Sequence, residues 1–72
     1  MITIATIVKR TAKSGEGSLA YMELRGLSTD EKPTMYPTVG GYNIDNGSVF
    51  IEIDTGKVYL FDLESTTWCE VS

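Results

Sequence analysis

The sequence predicts an all-β domain: a small antiparallel sheet or open barrel of about five strands, ending in a three-strand meander. Three observations carry this. The stretch Gly47–Asp62 holds two runs of β-branched and aromatic residues, Val49-Phe50-Ile51 with Ile53 and Val58-Tyr59-Leu60-Phe61, around the turn Asp54-Thr55-Gly56-Lys57. The N-terminal run Ile2–Val8 is almost wholly apolar or β-branched. After a turn at Leu63–Thr66, Thr67-Trp68-Cys69-Glu70-Val71 supplies a third consecutive strand for a meander.

Residues 2–9 read as the first strand. Its register is ambiguous, because Ile2 and Ile4 keep one parity while Ile7 and Val8 are adjacent. Such a strand also suits addition to a neighbour's sheet edge. Lys9–Ser18 is polar, carries Gly15 and Gly17, and reads as a loop or hairpin tip. Residues 18–25 place Ala20, Met22 and Leu24 on one apolar face at period two. Leu, Ala, Met and Glu also favour helix, but eight residues are short for one and Gly26 would stop either element, so strand is preferred. Gly26–Thr34 is a loop in which Ser28, Thr29 and Asp30 suit a turn. Met35–Tyr42 carries Pro37, which excludes a central strand, and reads as an extended or edge segment.

Asn46-Gly47 is a turn dipeptide that tolerates positive φ, and Asp54 with Gly56 marks the tip of the main hairpin. Thr67–Val71 is the last strand, with Trp68 and Glu70 opposite Thr67, Cys69 and Val71. The organisation is one domain: residues 1–17, strand and loop; 18–45, strand and extended segment; 46–72, meander.

Seventy-two residues bury only about 60–65 % of their surface, and such domains lean on staples. One cysteine allows no internal disulfide, and the absence of histidine removes imidazole metal sites. Oligomerisation is the remaining staple, so a homo-oligomer is expected. A net charge of −4 disfavours nucleic acid, and Lys9, Arg10 and Lys13 read as a solvated loop flank. No apolar run is long enough to span a bilayer, and no basic segment precedes Met1–Val8 as in a signal peptide. Synthesis in the cytoplasm, without a membrane partner, is the expectation.

No chemistry stands out. Glu52, Asp54 and Asp62 lack a supporting His or Arg constellation nearby in sequence and read as solvent-facing charges. Cys69 has no base to activate it and reads as a small buried hydrophobe. Asn43, Asp45 and Asn46 do not follow a calcium-loop pattern. No catalytic residue, cofactor or metal is therefore expected. Tyr59, Phe61 and Trp68 are either core or an aromatic platform for sugars or a protein. Ile2, Ile4, Ile7, Met35, Tyr36 and Tyr42 are the candidate interface residues.

Leu24–Thr34, Asn46–Asp62 and Trp68 together resemble small proteins of tailed bacteriophages and prophages, chiefly of Gram-positive hosts. A similar strand-turn-strand with Asp-Thr-Gly-Lys, a following Tyr and a closing Trp recurs in phage fibre and tail proteins. The resemblance covers residues 24–71 and transfers no catalytic or binding residue. It implies a non-enzymatic virion component: a capsid decoration or head-fibre protein, or a small head or tail accessory, partnered by other virion proteins. The competing readings are a module that binds host-surface glycans or receptors through the aromatic face, and a phage-encoded inhibitor of a host protein.

Overall fold

Strand β2 (Ser18–Gly26) is the axis of the sheet. In the computed structural model, which describes residues 2–11, 18–34 and 41–72, every regular element is a strand. β1 (Thr3–Thr11) lies on one side of β2. β3 (Asn43–Ile44) and β4 (Val49–Glu52) lie on the other, followed outward by β5 (Val58–Asp62) and β6 (Thr67–Glu70). The path β1-β2-β4-β5-β6 is open, so the structure is a sheet rather than a closed barrel. β4, β5 and β6 form the expected antiparallel meander.

The departure from the expected sheet is its sense. β2 pairs with both β3 and β4 in parallel, so the sheet is mixed. The reason is the connection 27–42, which is long enough to carry the chain back to the starting end of β2 before β3 begins; a tight hairpin would have forced antiparallel pairing. Gly15, Gly17 and Pro37 lie outside the described residues.

β2 supplies the core. Ala20, Met22 and Leu24 are fully buried on one face, joined by Ile44, Phe50 and Phe61. The competing helix preference loses because this face meets neighbours on both sides at a period of two. β1 solves its own parity problem with a register shift between Ile4 and Thr6. Ile4 faces Leu24 and Ile7 faces Met22, so one extra residue puts isoleucines of opposite parity on the core face. Ile2 and Ile7 pack against the core, while Ile4 remains 40 % exposed.

Between Leu19 and Glu23, β2 advances four residues; the facing chain, from Asn43 to Val49, advances six. The surplus is the Asp45–Ser48 turn, with Ser48 N–H donating to the Asp45 carbonyl (3.3 Å) and Gly47 at φ 82°. A lone positive φ at the third turn position is the type II arrangement. Ser48 bridges the gap that the turn leaves in the ladder. Its buried hydroxyl accepts from the Met22 amide (3.1 Å) and donates to the Asp45 carbonyl (2.9 Å). Ser48→Ala is expected to strand the Met22 amide and cost about 1–3 kcal/mol. Urea unfolding followed through Trp68 measures it, and a midpoint equal to wild type would refute the bridging role.

Gly26, expected to end the strand, is its last paired residue, opposite Glu52. It is glycine for space. A Cβ there would lie 2.8 Å from Phe50 Cζ and 2.9 Å from Asp30 Oδ2.

Candidate functional site

The loop after β2 crosses the core face of β4, β5 and β6. Phe50, Phe61 and Trp68 stack there. Trp68 lies 5.0 Å from Phe61 in a tilted pair and 5.9 Å from Phe50 edge-on. The indole N–H donates to the Pro33 carbonyl at 2.8 Å, which ties the loop to β6. Lys32, one residue earlier, brings its ammonium 4.4 Å from the Tyr59 ring centroid and 4.9 Å from that of Phe50. The same nitrogen reaches Glu52 Oε2 at 2.7 Å.

Glu52 was expected to face solvent; it is 4 % exposed. It shares the core face of β4 with Phe50, two residues away, and is satisfied there. Lys32 holds one oxygen and Thr55 Oγ1 donates to the other at 2.7 Å. The Lys32 hydrogen bond, with help from Thr55, keeps its carboxyl below the ordinary 4.5. Two aromatic faces and a carboxylate around an ammonium make a cation cage, and here the chain's own Lys32 fills it. The missing signal in the sequence was distance: the lysine lies twenty residues before its partner.

Asp54 plays a matching part at the hairpin tip. Its carboxylate accepts from Ser28 N–H (2.9 Å) and Ser28 Oγ (2.6 Å), so the β4–β5 turn grips the start of the covering loop. The Ser28 hydroxyl is the main reason its carboxyl lies below 3.8. Asp30 accepts from the Leu27 amide at 2.8 Å and is lowered by that bond. Gly56 completes the tip at φ 77°, with its amide donating to the Glu52 carbonyl. Asn46 Oδ1 accepts from the Leu63 amide at 3.0 Å, which fastens the Asp45–Ser48 turn to the end of β5. Asp62 accepts from Glu64 N–H and Ser65 Oγ within its own turn.

These three depressed carboxyls, Glu52, Asp54 and Asp30, set a pH dependence. The folded state binds their protons less readily than the unfolded chain, so their contribution is present above the ordinary values of 4.5 and 3.8. It is lost as pH falls through the lower folded-state values. The melting temperature is expected to hold between pH 7 and about 5 and to fall steadily below. Asp54→Asn should flatten part of that fall, and an unchanged slope would refute the Ser28 grip.

The other sequence candidates fall in different places. Phe61 is 2 % exposed and Tyr59 is half-buried beside the core, as is Trp68. A stacking platform for sugars requires ring faces open to solvent; here Phe61 and Trp68 pack on each other and the Lys32 ammonium lies over the Tyr59 ring. Tyr42 packs against the core, with the Lys9 ammonium 4.9 Å from its ring. Met35 and Tyr36 lie outside the described residues. Cys69 is exposed, not buried: β6 turns Trp68 inward, which sends Cys69 to the other face. Among the described residues, no cluster of three or more Cys, Asp or Glu side chains is arranged to hold a metal ion. No helix is long and apolar enough to cross a membrane among them.

No family model, curated protein or solved structure matches this chain.

Proposed function

We infer that the chain is a non-enzymatic component of a bacteriophage virion, a capsid decoration or head-fibre protein or a small head or tail accessory, that acts by packing against other subunits. The resemblance of the Asp54-Thr55-Gly56-Lys57 hairpin and Trp68 to phage fibre and tail proteins supports the setting. One structural observation supports the mode of action. β1 pairs only with β2, so its outer backbone edge is open among the described residues, and it exposes Ile4 and Val8, the latter at 57 %. An edge strand of that kind is a template for a further strand from a neighbour. Lys32 is engaged by Glu52 and Asp54 by Ser28, contacts within the chain that suit a rigid building block.

Mass spectrometry of purified virions tests this reading. The chain is expected in clean particles at a ratio set by particle symmetry for a decoration protein, or at a few copies for a connector or tail part. Its absence from clean particles overturns the reading.

A further inference from the structure

Over β4 and the adjoining parts of β5 and β6 the outer face of the sheet is apolar, bordered by Asp62 and Thr67 at the far end of β5 and the start of β6. Cross-strand partners share a face, so the ladders define two adjacent rows across it. One row is Glu23, Val49, Leu60 and Cys69. The other is Arg25, Ile51 and Val58, continued by Val71, whose amide donates to the Val58 carbonyl at 2.8 Å. Leu60 is 39 % exposed and Val71 55 %, while Val49, Ile51 and Val58 are half-buried by one another's company. The covering loop 27–34 lies on the opposite face, over Phe50, Tyr59 and Trp68.

The two rows are complementary to each other. Each begins with one charge on β2, Glu23 in the first and Arg25 in the second, and each continues as apolar side chains over β4, β5 and β6. We propose that this face is an isologous dimer interface, in which two copies stack face to face about a two-fold axis running across the strands between the rows. That operation lays each row of one copy on the other row of its partner. Glu23 of one copy meets Arg25 of the other, twice. Val49 meets Ile51, Leu60 meets Val58, and Cys69 meets Val71.

A second copy is the occupant that the charges select. The chain carries −4 overall, so two copies repel across most approaches. These two rows sum to zero, with opposite charges placed where the two-fold brings them together. The result is a β-sandwich of two sheets about 10 Å apart, which gives this small domain the second layer that its own length does not supply. The dimer needs no virion: the isolated chain forms it.

Sedimentation velocity across a concentration series tests it with a charge swap. Wild type is expected to dimerise at micromolar to sub-millimolar concentration. Glu23→Arg sets arginine against arginine at both ends and should weaken dimerisation by about tenfold or more. Glu23→Arg with Arg25→Glu restores both pairs and should return the dissociation constant to within a few-fold of wild type. Leu60→Glu should give a monomer. Circular dichroism confirms that each variant keeps its sheet. A wild-type monomer throughout, an oligomer larger than two, or a double variant no tighter than Glu23→Arg would each overturn the proposal.

Discussion

Phe50→Ala is expected to remove about 3–5 kcal/mol of stability, the usual cost of emptying a fully buried phenylalanine site. A chain of this length has roughly 4–11 kcal/mol in total, at ~0.05–0.15 kcal/mol per residue. The variant therefore sits near its unfolding midpoint or loses much of its margin in buffer. The site cannot collapse easily. Phe50 is hemmed by Gly26, which its ring would meet at 2.8 Å if a Cβ were present, by Trp68 edge-on, and by the Lys32 ammonium. Urea unfolding measured by circular dichroism gives the change. A midpoint within a few tenths molar of wild type would mean that Phe50 is not the keystone of the core.

Lys32→Met is the second large effect, and its direction depends on what remains. The methionine keeps a similar volume over the Phe50 and Tyr59 rings but leaves the Glu52 carboxylate buried with only the neutral hydroxyls of Thr55 and Tyr59. Breaking one partner of a buried pair costs more than removing both. The melting temperature should fall markedly for Lys32→Met and recover most of that loss in Lys32→Met/Glu52→Met. The single variant should also regain stability on mild acidification, because a protonated Glu52 no longer needs the cation. Wild type, whose Glu52 is held below the ordinary 4.5, loses stability in the same direction. Opposite pH slopes in the two proteins identify the pair; parallel slopes would show that Lys32 acts only by packing.

Both experiments concern contacts between segments far apart in the chain, and that separation marks the limit of what could be read from residues. Turn chemistry is local, so the Asp54–Lys57 tip was legible: Gly56 adopts the positive φ that a β-carbon would oppose. The turn Leu63–Thr66 between β5 and β6 was legible in place but not in conformation, because Thr66 adopts φ 52°, which β-branched residues rarely take. Alternation is local too. The apolar face of Ala20, Met22 and Leu24 identified β2 and half of the core.

By itself, then, the sequence determined the all-β class, the meander 46–72 and the face of β2 that is buried, since each follows from side-chain periodicity or from backbone torsions within a few residues. Only the tertiary structure decided the parallel pairing of β2 with β4 and the bulge that reconciles Ile4 with Ile7. It also decided the burial of Glu52 under Lys32, the exposure of Cys69 and the use of Ser48 as a ladder bond. These depend on which face of each strand meets the loop 27–34 and on the return of the chain to β2 at β3. Periodicity shows that a strand has two faces; the packing of distant segments decides which one is covered.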